Sequence, residues 1–403
     1  MTKKKAISTK KTIVFLILII IFGELFFLLG SGNFIPDTKT QNLKVFAEVI
    51  ADKCKDAQYR PSCYDREIPK LTDNISMEEA FEVTKIVQDI DPSYAYCHVL
   101  GHELSAIEVR RDPSKWKDVL TRCPSGMCSN GCLHGGLQEK FRDIEFLSDE
   151  QIESLVPDLE TLCEPRGNWR PSGLEQGSCY HALGHLTMYA VNADIDRALA
   201  LCDRTALKEN GRDWRFLCYD GVFMQMFQPL EPEDFALIKG KEPTLSNVDE
   251  FCGKYSGMQK ASCQSESWPL YRELLVDSPD ELVKFCNKTE QEYRDRCFMT
   301  ELYVLTSQFN LDSGKIINYC SEIISERRGQ CFANAASRMI ETDYRNITMA
   351  INLCKTAEEY DKGGECYDEM VLYAGYNFKI GSNELHLICN SLPGEWKEKC
   401  LKS

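Results

Sequence analysis

Five of the six histidines in the chain lie between residues 98 and 185, each one to six residues after a cysteine. The three segments read Cys97-His98-Val99-Leu100-Gly101-His102-Glu103, Cys132-Leu133-His134-Gly135-Gly136-Leu137-Gln138-Glu139 and Cys179-Tyr180-His181-Ala182-Leu183-Gly184-His185. Neutral imidazole is the commonest side-chain metal ligand. Histidines four apart on a helix stand on one face and can grip one ion. His98, His102, His134, His181 and His185 are therefore candidate metal ligands. Asp220 joins them because it follows Cys218 by the same two residues that separate His134 and His181 from Cys132 and Cys179. Glu103 and Glu139 are close enough in sequence to act as a general base. Imidazole suits Zn, Fe and Cu alike, so the ion is a divalent or transition metal of open identity. The chain has no HExxH, so the zinc-protease mechanism is not indicated. Two further readings compete. One is a non-covalent haem between two histidines, in an apolar slot made by Met188, Tyr189, Met224 and Phe227. The other is that the histidines are simply packed or capped in helices loosened by glycine.

Helix geometry says which way these groups point. At about 100° per residue, positions two and six after a cysteine lie roughly 200° to 240° round from it. His134, His181 and His185 then face away from the disulfide, toward an inner surface. His98 and His102, one and five after Cys97, point roughly 100° to 140° round. The glycine before His102 and before His185 lets another backbone or a ligand come close. Packed helices lie about 8–10 Å apart. Neighbours can share an ion, whereas the first and third helices meet only if the array curves tightly around His134. One ion with three or four of these ligands, or two ions bridged by His134, satisfies that geometry.

The elements that carry them are set out by the cysteines. Twenty cysteines on the oxidising side of a membrane form a disulfide framework. The second members of the pairs Cys252–Cys263, Cys286–Cys297, Cys320–Cys331, Cys354–Cys366 and Cys389–Cys400 recur every 34 or 35 residues. A fixed period of that size marks a stacked helical hairpin. Within it, Ser278-Pro279-Asp280-Glu281-Leu282-Val283-Lys284-Phe285-Cys286 starts and runs as a short helix. Glu290 to Gln308, free of proline and glycine, reads as a long one. Cys54–Cys63, Cys123–Cys132, Cys163–Cys179 and Cys202–Cys218 extend the pattern backward with longer links. The short helix at Met77 to Ile90 has no cysteine, so elimination pairs Cys97 with Cys128. Neither Cys123 to Cys128 nor Cys128 to Cys132 has the CxxC spacing of a reactive dithiol. The chain is expected to be all-α, an α-solenoid of about ten disulfide-stapled hairpins. In period and layout it resembles the tetratricopeptide and SEL1-like helical repeats. Their consensus residues are missing, so the resemblance implies an architecture and carries no residue roles.

The amino terminus reads as a membrane signal. Residues 1–11 form a basic cytoplasmic tail, 12–30 a transmembrane signal anchor and 31–50 a linker. Residues 51–240 hold the histidine-containing repeats and 241–403 the regular cysteine-stapled ones. The apolar run from Ile13 to Leu29 approaches a bilayer span, and the lysines before it stay inside. The protein is thus expected to be a single-pass membrane protein with its carboxyl-terminal part extracytoplasmic, or secreted if a peptidase cuts near Gly30 and Gly32. Net charge is −15, and the first 32 residues contribute five lysines against Glu24, so the exterior part carries −19. That surface repels nucleic-acid phosphates and tolerates cations. The leading function is a binding or scaffold protein that takes a protein, peptide or glycan on its concave surface and carries a histidine metal site. The alternatives are an extracytoplasmic hydrolase or oxidoreductase using the same cluster, and a metal or haem carrier.

Overall fold

Helix starts are written locally. Ser76, Ser148 and Ser172 each accept a hydrogen bond from the amide three residues on, while Glu79, Gln151 and Glu175 reach back to the cap amide. Two of the orphan donors at each start are thereby satisfied. Asp194 and Asp312 cap the next short helices in the same way, accepting from the amides of Arg197 and Lys315.

The computed structural model describes residues 38–402 apart from 125–126, 142–147, 168, 209–210, 230–231 and 361–363. The expected anchor at 12–30 lies outside the described residues. Among those described there is no strand, and no helix is long and apolar enough to cross a membrane. Eight helices pack one on the next: α1 (His98–Arg111), α2 (Gly131–Phe141), α3 (Gly173–Ala190), α4 (Arg215–Phe227), α5 (Gly257–Glu266), α6 (Arg294–Gln308), α7 (Arg328–Thr342) and α8 (Glu365–Asn377). A further helix precedes each of them in the chain and packs against it. The α-helix of α6 begins at Arg294, later than the pattern suggests, because a 3-10 turn at Gln291–Tyr293 first reverses the chain.

Ten disulfides use all twenty cysteines: Cys54–Cys63, Cys97–Cys128, Cys123–Cys132, Cys163–Cys179, Cys202–Cys218, Cys252–Cys263, Cys286–Cys297, Cys320–Cys331, Cys354–Cys366 and Cys389–Cys400. No thiol is free. So many bridges in one chain belong to an oxidising, extracytoplasmic environment.

The array does not stay open. Arg345 pairs with Asp89 at 2.6 Å across 256 residues of chain. Lys379 reaches Glu175 at 3.4 Å, and Met127 pairs with Asp343 through the backbone. The apolar core is in two parts, one from Leu43 to Cys263 and one from Trp268 to Cys400. Ala95 and Tyr96, just ahead of α1, pack against the second. The last of these helices thus rest on the first, with Tyr96, Tyr303 and Arg338 packed together between them. Arg338 lies over the rings of Tyr303 and Tyr96, at 4.0 and 5.5 Å. Glu341 accepts from Tyr303 and from Tyr373. Buried charge persists here because it is paired.

Candidate metal centre

Close helix packing creates the centre, and glycine permits the packing. A Cβ on Gly135 would sit 2.2 Å from the carbonyl oxygen of His102, and one on Gly131 would sit 2.2 Å from that of His98. On the other side, a Cβ on Gly221 would come within 2.0 Å of the His181 carbonyl oxygen, and one on Gly184 within 2.0 Å of that of Cys218. Helices α1 and α2, and likewise α3 and α4, therefore touch backbone to backbone. The sequence marks Gly101 and Gly184 as points of close approach. It gives no reason to single out Gly131, Gly135 and Gly221, which bear on the histidine turns from the neighbouring helix.

All five histidines meet on the inward face. His98 Nε2 lies 3.1 Å from His102 Nε2, and His181 Nε2 lies 3.2 Å from His185 Nε2. His134 stands between the pairs, its ring centre 5.2 Å from that of His98, 5.5 Å from that of His102 and 5.5 Å from that of His181. Donor atoms of His98, His102 and His134 all lie within 4.8 Å of one another. Imidazole nitrogens on one tetrahedral ion, with bonds of about 2.0–2.1 Å, are roughly 3.3 Å apart. Both i, i+4 pairs are close to that spacing.

Surrounding groups orient the rings. His98 Nδ1 donates to the Cys128 carbonyl at 3.2 Å, and His185 Nδ1 donates to Gln225 Oε1 at 2.7 Å. A proton fixed on Nδ1 leaves the lone pair on Nε2, the arrangement found behind metal-ligating histidines. His134 Nε2 is buried and has no hydrogen-bond partner among the described residues. Burial is the main cause that lowers the proton affinity of all five imidazoles, bringing His98 down to about 4. They are neutral at neutral pH, the form that binds a metal.

One side of the cluster opens on a cavity of about 30 Å³, lined by His98, His102, His134 and His185 together with Gln138, Tyr189, Met224, Gln225, Gln228 and Asp234 among others. That is room for one or two waters. Tyr189 hydrogen-bonds Asp234, and Gln138 Nε2 donates to the same carboxylate oxygen at 3.3 Å. Asp234 was not foreseeable from spacing, because it belongs to the irregular insertion after α4. Of the four residues of the expected haem slot, Tyr189 and Met224 line this cavity, whereas Met188 and Phe227 are packed into the apolar core.

The acidic candidates lie elsewhere. Arg110 holds both Glu103, at 2.7 Å, and Glu139, at 3.0 Å. Asp220 accepts from Ser262 at 2.6 Å and pairs with Arg296 at 2.5 Å. Its charge is felt by Glu266 and Glu301. Glu301 is fully buried, and neither carboxylate oxygen has a partner among the described residues. Burial first, and then the charges of Glu266 and Asp220, push its carboxyl well above the usual value of 4.5; Tyr319 faces it as well. The folded chain keeps a proton that the unfolded chain releases, so stability falls as pH rises above that value. Glu301→Gln is expected to raise the thermal midpoint at pH 8 by about 2–4 °C, with the gain shrinking toward pH 4.5. Equal midpoints at both pH values would contradict this.

Fold and site together define an all-helical, disulfide-rich protein with a half-buried histidine cluster able to hold a metal ion. The chain matches no protein-family model, and no curated protein and no solved structure is detectably similar to it.

Proposed function

We propose that this is a membrane-anchored extracytoplasmic binding protein whose histidine centre holds a transition-metal ion, residues 12–30 serving as the anchor. The observation that carries the reading is the convergence of His98, His102 and His134 within 4.8 Å, with His98 held in the ligating tautomer by a backbone carbonyl. The cavity of about 30 Å³ beside the histidines favours a small inorganic ligand there, and leaves the rest of the surface for a protein, peptide or glycan partner. The acidic exterior argues against nucleic acid. Zn, Fe and Cu are all compatible with three imidazoles.

A second reading, metal-assisted hydrolysis or oxidation, draws on the cavity beside the ligands. Asp234, steadied by Tyr189, is the carboxylate placed to take a proton there, in the role the sequence suggested for Glu103 or Glu139.

The test is metal content. The full-length chain, extracted in detergent under oxidising conditions and supplied with Zn, is expected to retain a stoichiometric ion measurable by mass spectrometry. His134→Ala and His102→Ala should each weaken binding on the order of a hundredfold or more, since loss of even a supporting partner costs roughly 10–100-fold. A native chain that retains no stoichiometric metal after supplementation with Zn, Fe or Cu would sink the proposal.

A further inference from the structure

The His181–His185 pair receives a third donor from the next helix. Met224 on α4 places its Sδ 3.2 Å from His181 Nε2, and His185 Nε2 lies 3.2 Å from that same nitrogen. Because Gln225 takes the Nδ1 proton of His185 at 2.7 Å, the facing Nε2 of His185 carries a lone pair. His181 Nε2 therefore confronts two acceptors, one of them a thioether that accepts only weakly. A single N–H bonds at full strength to only one of them. A cation among the three atoms satisfies all of them.

We infer that His181, His185 and Met224 form a second metal site, of two imidazole nitrogens and one thioether, built for Cu(I). Thioether sulfur is a soft ligand that selects Cu(I), whereas Zn sites are made of Cys, His, Asp and Glu. The donor set carries no charge of its own. The His134 ring stacks on that of His181 at 5.5 Å, so the two sites adjoin. This deepens the metal-centre reading, yet its ligands are none of the three that carry that reading, and each can fail alone.

The experiment titrates the full-length chain with Cu(I), kept reduced by ascorbate, against a colorimetric Cu(I) chelator, with Zn binding measured in parallel. X-ray absorption at the copper edge of the unmodified chain is expected to show a sulfur neighbour at about 2.3 Å. Met224→Leu should remove that sulfur and weaken Cu(I) binding at least tenfold while leaving Zn binding by His98, His102 and His134 unchanged. His102→Ala should do the reverse. Absence of the sulfur in the unmodified chain, or wild-type Cu(I) affinity in Met224→Leu, would overturn the second site. Because the sulfur signal is read on the native protein, the result stands even if a variant folds poorly. Loss of Zn binding alone from the native chain would count against the three-histidine site and leave this one intact.

Discussion

Gly135→Ala is expected to destabilise the protein by about 2 kcal/mol and to abolish the three-histidine metal site with it. The added methyl would lie 2.2 Å from the His102 carbonyl oxygen and 2.3 Å from His102 Cα. Both atoms belong to helix backbone, so no rotamer change relieves the clash and α1 must move away from α2. Overpacking of this kind typically costs about 1–3 kcal/mol, occasionally more, and the gain of alanine over glycine in helix propensity, about 1 kcal/mol, offsets only part of it. Separating the helices moves His134 away from His98 and His102. A shift of 1 Å is large against metal bonds of about 2 Å. Gly314→Ala is the control, because that glycine is exposed in the first turn of a short helix and its Cβ would meet only the Asp312 side chain, at 3.2 Å. Thermal unfolding and Zn competition on the two variants decide the matter. If Gly135→Ala binds metal like the parent, the close approach of α1 and α2 is not what assembles the site.

The same contrast shows what a sequence can disclose. Cysteine spacing acts as a ruler because a disulfide demands Cα atoms about 5.5–6 Å apart, and a recurring pair one hairpin apart therefore encodes helix, turn and helix. Histidine offsets from those cysteines carry direction as well, through the helical period. What sets the curvature is silent in the pattern. Arg345 and Asp89 are ordinary surface charges until the ring closes, and Arg296 has no visible tie to Asp220 across 76 residues. For that reason Asp220, whose offset matches His134 and His181, faces an arginine rather than the imidazoles. Met224 reads as core or haem slot by type, and only its distance to His181 gives its sulfur a role. Gln225 and the Cys128 carbonyl, which set the histidine tautomers, have no signature at all.

Replacing Cys97 and Cys128 together by serine should cost more than removing any of the regular staples, and should weaken metal binding as well. Cys97 and Cys128 are 31 residues apart, whereas Cys286 and Cys297 are 11 apart. In the chain-entropy model those separations correspond to about 3.7 and about 2.8 kcal/mol. The larger loop also ends at a strained turn. Cys128, Ser129 and Asn130 have φ of 51°, 46° and 57°, a left-handed run that costs roughly 1–2 kcal/mol per residue. Pinned by Cys97–Cys128 at one end and by Cys123–Cys132 just beyond the other, this turn presents the Cys128 carbonyl to His98 Nδ1 at 3.2 Å and leads directly into α2. Once Cys128 is released the turn can relax, His98 loses the partner that fixes its tautomer, and metal affinity should fall about 10–100-fold. Cys286→Ser with Cys297→Ser should lower the thermal midpoint and leave metal affinity where it was. Equal metal affinity in both double variants would show that the left-handed turn braces the chain without orienting the site.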